Sequence, residues 1–195
     1  YGRIDILVNN AGESITGTIE ELCMEDLYYS LGVNMIGPLM LMKATIPVMR
    51  KINGGSIVNI ASLAGLRATP KKTAYCSTKA GLIHMTKQVA LDYGQYNIRC
   101  NVVCPGLFIT DMVAKNFANI AKELGVSMEA FVTAAYKELP LKQPAQPEKI
   151  YGLISFLASD AASYITGAEI LIDGGTGIVD PFSVGIANAI RELKR

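Results

Sequence analysis

The residues of this sequence with the clearest chemical potential are Tyr75 and Lys79, in the run Tyr-Cys-Ser-Thr-Lys. They fall near the start of a helix-compatible segment, 74–93, and residues four apart on a helix project from the same face. A free tyrosine has a pKa of about 10, and a fixed cation nearby favours the phenolate. The spacing therefore predicts that Lys79 lowers the pKa of Tyr75 and makes it a proton carrier. An ordinary aromatic residue beside a solvated lysine would give the same pattern.

The composition is that of one compact soluble domain spanning 1–195. Half of the 195 residues are apolar, and 18 basic against 17 acidic side chains give a net charge of +1. Near-neutrality argues against nucleic acid or an anionic membrane as the main partner. No apolar run is expected to approach the roughly 20 residues of a membrane span, and no signal peptide opens the chain. We therefore predict a cytoplasmic protein.

The cysteines and the single histidine do not predict a metal site or a disulfide. Cys23, Cys76, Cys100 and Cys104 follow neither disulfide nor zinc spacing. The only histidine, His84, is five residues past Lys79 and so points elsewhere. Reduced cysteines that pack in the core are the expectation for such a pattern.

Four runs rich in apolar residues predict strands, at 4–8, 56–60, 98–103 and 169–172. Between them, helical spacing of apolar residues predicts helices at 25–51 and 74–93 and from Pro147 to about Ser159. Strands that alternate with helices are typical of a parallel sheet with helices on both faces. The predicted fold class is therefore α/β, a Rossmann-like doubly wound parallel sheet.

Several candidate ligand-contacting residues follow predicted strands or interrupt a helix. Asn9-Asn10-Ala11-Gly12 closes the first strand, where small residues permit a close backbone approach, although a plain turn would read the same. Ser62 falls at the carboxyl end of the second strand, where open α/β sheets bind ligands. Asn34 precedes Pro38 inside a helix, so its amide is free to bond a released backbone group or a water.

Two later segments differ from the βα pattern. Residues 112–143 contain many apolar side chains and few tight turns, which predicts either a mobile flap over an apolar substrate or a packed helix pair. The tail, 176–195, predicts an amphipathic helix from Ser183, as its capping residue, to Arg195. We expect this helix to dock on its own subunit or on a neighbour.

Taken together, the sequence resembles the short-chain dehydrogenase/reductase family from about Gly2 to Gly175. The resemblance rests on five motifs in the family's order and spacing: Asn9-Asn10-Ala11-Gly12, Asn34, Ser62, Tyr75 with Lys79, and Pro105-Gly106 followed by Thr110. It implies that Tyr75 is the general acid in ketone reduction and the base in alcohol oxidation. It also implies that Ser62 orients the substrate carbonyl, that Lys79 holds the nicotinamide ribose, and that Asn34 positions a water that relays protons.

The resemblance further implies NAD or NADP as cofactor. The residues that it places against the cofactor are Asn9, Ala11, Gly12, Tyr75, Lys79, Pro105, Gly106, Phe108 and Thr110. In the family, a Gly-x-x-x-Gly-x-Gly turn after the first strand receives the pyrophosphate, and nothing of that kind precedes Ile4. We therefore expect the first β-α units to be absent from this chain, which leaves the choice between NAD and NADP unreadable.

The function expected from this resemblance is the NAD(P)-dependent interconversion of a secondary alcohol and a ketone. The nearest groups are 3-oxoacyl-carrier-protein reductases and bacterial hydroxysteroid dehydrogenases, which favours an apolar substrate such as a steroid or an acyl chain. The alternatives are a non-catalytic dinucleotide sensor or scaffold, which would be expected to have lost Ser62, Tyr75 or Lys79, and an inactive truncated fragment. A homo-oligomer, a tetramer or a dimer, is expected through the two long helices.

Overall fold

The computed structural model describes residues 2–194, with the exception of the side chain of Met112. Four strands form one sheet in the order β1-β2-β3-β4, with bounds β1 Ile6–Asn9, β2 Gly55–Ile60, β3 Ile98–Pro105 and β4 Glu169–Ile172. Strands β1 and β2 are parallel with Val8 opposite Val58, and β2 and β3 are parallel with Ile57 opposite Cys100. The predicted α/β class with a parallel sheet is confirmed, and each strand lies within two residues of its predicted bounds.

Helices cover both faces of this sheet. The helices are α1 Met24–Leu31, α2 Gly37–Lys51, α3 Thr73–Tyr93, α4 Asp111–Glu123, α5 Met128–Tyr136, α6 Tyr151–Ala158 and α7 Pro181–Leu193. On one face, Met42 and Met49 of α2 and Ala90 of α3 pack on Ile57 and Ile98 in one buried cluster. On the other face, the Ser56 hydroxyl donates to the carbonyl of Leu157 in α6 at 2.8 Å. Successive residues of β2 point to opposite faces of the sheet, so Ile57 contacts α2 and α3 while Ser56 contacts α6.

The chain forms two compact units. The first comprises the residues up to Pro105 together with Ile150–Leu171, and contains β1, β2, β3, α1, α2, α3 and α6. The second comprises Gly106–Lys149 and the residues from Ile172 onward, and contains α4, α5 and α7. The prediction of a single domain over 1–195 stays a prediction.

The predicted helix 25–51 is continuous but changes its winding. A π-helical turn, Gly32–Ile36, joins α1 to α2 at the residues that the sequence marked as an interruption. By length and composition this one helix, Met24–Lys51, could cross a membrane, with a mean hydropathy of 1.3 over 18 residues. The expectation that no apolar run reaches such a length is therefore wrong. The polar side chains of Asn34 and Thr45 do not interrupt its apolar surface, because both are buried. Helices in the core of a soluble protein can have the same length and composition.

A chain of buried polar side chains ties the sheet to α3. Asn9 donates from Nδ2 to Asn59 Oδ1 at 2.7 Å, and Asn59 donates from Nδ2 to Thr86 Oγ1 at 2.9 Å. Asn59 and Thr86 are fully buried. Because an unpaired buried amide is costly, these bonds favour one alignment of β1, β2 and α3.

In the second unit, residues 112–143 contain the packed helix pair that was one of the two expectations. Phe117 of α4 and Phe131 of α5 meet edge to face, with ring centres 5.1 Å apart. Each helix has a hydroxyl cap, because Thr110 accepts from the Val113 amide and Ser127 accepts from the Ala130 amide. Movement of this pair as a flap stays a prediction.

The tail helix begins before the predicted cap. Asp180, not Ser183, caps α7, because its carboxylate accepts from the amides of Phe182 and Ser183 while Pro181 occupies the first helical position. An acidic cap followed by proline was a clearer start signal than the serine. The last residue of the predicted tail, Arg195, lies outside the described residues.

Gly65 offers a test of how closely the loop after β2 packs on α3. A Cβ at Gly65 would lie 2.8 Å from the backbone carbon of Lys79, so Gly65→Ala must push the loop off the helix. We expect the free energy of unfolding to fall by about 1 to 3 kcal/mol, measured by urea denaturation. Gly94→Ala is the control, because nothing lies within 4 Å of its added Cβ. Equal stability of Gly65→Ala and the wild type would contradict the close packing.

Candidate active site

The first two turns of α3 and the end of β2 bring together the side chains that the sequence singled out. Lys79 donates from Nζ to the carbonyl of Ile60, the last residue of β2, at 2.9 Å, and its Nζ lies 5.8 Å from the centre of the Tyr75 ring. Ser62, two residues beyond β2, lies close enough to the Tyr75 phenol to lower the pKa of Tyr75. Ser62 Oγ also accepts from the Ala64 amide at 3.1 Å. One tyrosine, one serine and one lysine thus share a site at the carboxyl edge of the sheet.

The predicted direction of the tyrosine shift is wrong in this structure. Burial raises the pKa of Tyr75 above its ordinary value; the hydrogen bond with Ser62 opposes the rise, and Cys76 and the Glu13 carboxylate add to it. The charge of Lys79 makes no appreciable contribution to the pKa of Tyr75. Sequence spacing correctly identified Lys79 as a neighbour of Tyr75, but desolvation of the phenol sets the direction of the shift.

Lys79 itself is the group that titrates near neutrality. It is 3% exposed, and burial lowers the pKa of its ammonium from 10.5 to about 8, a shift that Cys104 and the Glu13 carboxylate partly oppose. An ammonium has three donors, and the Ile60 carbonyl takes one of them. The other two are available to a ligand.

Asn34 lies in the π-helical turn and is fully buried. Its Oδ1 accepts from the Glu13 amide at 3.0 Å, and its Nδ2 donates to the Glu13 carbonyl and to Thr78 Oγ1, each at 3.1 Å. Thr78 Oγ1 in turn donates to the carbonyl of Tyr75 at 3.0 Å. Both amide donors of Asn34 therefore bond protein, so a relay water would have to bond its main chain or the second lone pair of Oδ1.

The turn after β1 provides the space beside Lys79. A Cβ at Gly12 would lie 3.1 Å from Lys79 Nζ and 3.5 Å from Asn34 Oδ1, so a side chain there would crowd the ammonium. Ala11 and Gly12 are exposed. Asn9 is buried, and its amide nitrogen bonds Asn59 of the neighbouring strand. Its Oδ1 has no partner among the described residues.

Three contacting residues were not selected from the sequence: Glu13, Ser30 and Thr78. The Ser30 hydroxyl donates to Glu13 Oε1 at 2.5 Å, and Ser30 is fully buried. Thr78 had a usable signal, because it lies three residues after Tyr75 on the same helix. Glu13 contacts Ser30 and Asn34, which are distant from it in sequence, so no local sequence pattern predicts these contacts.

The last four residues that the resemblance places against the cofactor, Pro105, Gly106, Phe108 and Thr110, are divided between the two units. Pro105 ends β3, and Gly106, Phe108 and Thr110 belong to the second unit. There, the Gly106 amide donates to the Ile172 carbonyl at 3.0 Å, and a Cβ at Gly106 would lie 2.8 Å from the Cα of Asp173. Thr110 caps α4 by accepting from the Val113 amide at 3.3 Å, which leaves its hydroxyl proton free to bond a ligand.

The cysteines of β3 are inert by their surroundings. Cys100 and Cys104 are buried free thiols, and burial raises the pKa of Cys100 to about 12 and that of Cys104 to about 11. They are therefore thiols rather than thiolates at neutral pH. Within residues 2–194, no group of three or more His, Cys, Asp or Glu side chains is placed to hold a metal ion.

Comparison with known proteins identifies the family of the chain. The family model described as enoyl-(acyl carrier protein) reductase matches residues 1–177. Oxidoreductase UcpA of Salmonella typhimurium is 38% identical over 187 residues, which are 95% of this chain and 70% of that protein. The chain belongs to the short-chain dehydrogenase/reductase family. Another relative, the 3-oxoacyl-[acyl-carrier-protein] reductase FabG of Thermotoga maritima, is 39% identical over 90% of this chain and 67% of its own length.

Solved structures of this oxidoreductase family share the fold. Ligand-free aldohexose dehydrogenase of Thermoplasma acidophilum is 36% identical with a TM-score of 0.84, over 93% of this chain and 71% of that one. L-sorbose reductase of Gluconobacter frateurii, in complex with NADPH and L-sorbose, is 30% identical with a TM-score of 0.88, over 92% of this chain and 69% of that one. The α/β architecture seen here is therefore that of the family.

Replacement of Lys79 by methionine tests whether the buried ammonium lowers the free energy of unfolding. Below about pH 8 the folded and unfolded states both hold the lysine proton, and the folded state is destabilised by the desolvated ammonium. Between about pH 8 and 10.5 the folded state releases the proton first, so the wild type gains stability as pH rises. We expect Lys79→Met to be more stable than the wild type by about 1 to 2 kcal/mol at pH 7.

Urea denaturation at pH 7 and pH 9.5 measures both variants, and the advantage of Lys79→Met should shrink by about 2 kcal/mol at the higher pH. Lys43→Met is the control, because Lys43 is exposed on α2 and its ammonium stays in water in both states. A stability difference between Lys79→Met and wild type that is independent of pH would show that the buried ammonium is not the cause.

Proposed function

We propose that the protein is an NAD(P)-dependent oxidoreductase that interconverts a secondary alcohol and a ketone. The observation that supports this most directly is the gathering of Ser62, Tyr75 and Lys79 at the carboxyl edge of the sheet. Three hydrogen-bonding groups of this kind can orient one carbonyl oxygen and deliver one proton to it. Bound nicotinamide would supply or accept the hydride, as in other enzymes of this cofactor class.

The residues of the first unit fit the ribose end of such a cofactor. Lys79 has two N–H donors beyond its bond to Ile60, which suits a pair of ribose hydroxyls, and the absence of a side chain at Gly12 keeps the space beside Nζ open. Structural neighbours have been solved with NADPH, with NAD+ and with NADH. They support a nicotinamide dinucleotide and leave the preference between NAD and NADP open.

In the proposed reaction each side chain has a separate task. Ser62 donates a hydrogen bond to the substrate oxygen and so holds the carbonyl in line with the phenol. Because burial raises the pKa of Tyr75, the phenol is protonated at neutral pH and is ready to act as general acid in ketone reduction. In alcohol oxidation Tyr75 must first lose that proton, so the raised pKa makes oxidation faster at higher pH.

Two classes of substrate are supported by different observations. The apolar composition of residues 112–143 and the resemblance support an apolar substrate, such as a steroid or an acyl chain. The neighbours include an aldohexose dehydrogenase, an L-sorbose reductase and a xylitol dehydrogenase, which support a small hydroxylated substrate instead. A non-catalytic dinucleotide sensor is less favoured, because Ser62, Tyr75 and Lys79, which such a protein would be expected to have lost, are all present.

Removal of one oxygen atom tests the proposed reaction. Tyr75→Phe in the full-length protein should lower ketone-dependent NAD(P)H oxidation at least 100-fold, because general acid catalysis contributes about 10² to 10⁴, while cofactor affinity changes little. Turnover is followed by absorbance with a panel of ketones, and cofactor binding by fluorescence. Tyr93→Phe is the control, since Tyr93 is at the far end of α3. Substantial turnover by Tyr75→Phe would refute the proposed chemistry.

We also propose that the protein is a homo-oligomer, a dimer or a tetramer, built through its long helices. Large apolar side chains are exposed on these helices: Tyr28, Ile36, Met40 and Leu91 are 65%, 50%, 56% and 78% exposed. Several large apolar side chains exposed on neighbouring helices are typical of an interface between subunits.

Light scattering of full-length protein at micromolar concentration should therefore give a mass above that of one chain. Met40→Asp should reduce that mass, because a carboxylate would be buried in the interface, whereas Lys43→Glu on the same helix should reduce it less. A monomer at working concentration, or equal masses for both variants and the wild type, would contradict the proposed interface.

A further inference from the structure

Glu13 is an acidic residue whose backbone is fixed beside the proposed catalytic groups. It follows the Gly12 turn, and its amide and carbonyl are both bonded by the buried side chain of Asn34, at 3.0 and 3.1 Å. Asn34 also bonds Thr78, which lies between Tyr75 and Lys79 on α3. The position of residue 13 is therefore set by the same side chain that contacts the catalytic helix.

The segment that follows Glu13 is held from the opposite side. Lys72, just before α3, donates from Nζ to the carbonyl of Ser14 at 3.3 Å and to Thr16 Oγ1 at 2.6 Å. The Gly17 amide donates to the Lys71 carbonyl at 2.8 Å. Glu13 thus lies in a loop that is anchored at both ends to elements of the site.

The carboxylate of Glu13 is anchored but not neutralised. Ser30, fully buried on α1, donates to Oε1. Among residues 2–194, no lysine or arginine lies within ion-pair distance of this carboxylate and no protein donor reaches Oε2. Glu13 is half-buried, so one oxygen is held in place while the other remains open to a ligand.

The charge of Glu13 acts on both proposed catalytic groups. It raises the pKa of Tyr75 and that of Lys79, as a carboxylate that shares their space should. The other titratable groups that act on them are Cys76 and Cys104, and Lys79 keeps its own positive charge although it bonds the Ile60 carbonyl. Because Lys79 is 3% exposed whereas the Glu13 carboxylate is half-buried with one oxygen open, the charge that an entering ligand meets on this side of the site is negative.

We propose that Glu13 is a specificity-determining residue, which selects neutral, hydroxyl-bearing carbonyl substrates and rejects substrates with a carboxylate or phosphate close to the reacting carbonyl. A substrate hydroxyl can donate to the open oxygen, and hydrogen bonds to a carboxylate are stronger than those between neutral groups. An anionic substituent would face a fixed like charge in a partly desolvated site, which disfavours its binding. This inference rests on the proposed alcohol and ketone chemistry and narrows its substrate class.

The test compares two four-carbon ketones in the full-length protein, neutral 3-hydroxybutan-2-one and anionic 3-oxobutanoate. The wild type should prefer the neutral ketone in kcat/KM, and Glu13→Gln should reduce that preference about 10-fold, mainly through better use of the anion. Glutamine keeps the shape and can still accept from Ser30. Glu20→Gln is the matched control, because Glu20 is exposed in the same loop and the variant loses the same charge.

A second measurement separates a charge effect from a loss of structure. Glu13→Gln should also move the pH profile of kcat/KM to lower pH, since removal of the carboxylate lowers the pKa of both Tyr75 and Lys79. Binding of the two ketones, measured by ligand-observed NMR without turnover, should show the same change in preference. An unchanged ratio in both measurements, or an equal change in Glu20→Gln, would overturn the role of Glu13. Turnover retained by Tyr75→Phe would instead overturn the reaction itself.

Discussion

The hydrogen bond from Lys79 to the Ile60 carbonyl is the interaction on which the arrangement of the site depends. It joins the second turn of α3 to the end of β2, and it holds an ammonium that is almost completely removed from water. Burial of an ammonium is unfavourable unless its donors are satisfied. The protein therefore maintains a locally destabilising group, and the surrounding backbone must be rigid enough to hold it.

Much of this rigidity comes from contacts in which polar side chains bond backbone. Asn34 bonds both polar atoms of one peptide residue, Glu13, and reaches Thr78, so the turn after β1, the π-helical turn and α3 meet at one amide. The π-helical winding places Asn34 inward within an otherwise apolar helix. Irregular helical turns of this kind often occur at functional sites.

The sequence predicted the layers of the fold and selected Ser62, Tyr75 and Lys79 as neighbours, and it failed where the answer depends on burial. Short apolar runs were enough to locate β1 to β4, although only β2 and β3 are buried along most of their length. The sign of the Tyr75 shift could not be predicted, because desolvation depends on what covers the phenol. Glu13 and Ser30 were missed because their hydrogen bond joins residues seventeen apart, on a turn and a helix. The cap of α7 was misplaced by three residues although Asp180 and Pro181 form a stronger start signal than Ser183.

The buried chain from Asn9 through Asn59 to Thr86 has a consequence for how the family's members can diverge. Apolar contacts alone would tolerate a small slide of a helix over a sheet, whereas directional amide bonds do not. Helix α3 is thus held in a fixed position on the strands by hydrogen bonds within the core. Loops around the site can then change in length and chemistry while Tyr75 and Lys79 keep their position relative to the end of β2.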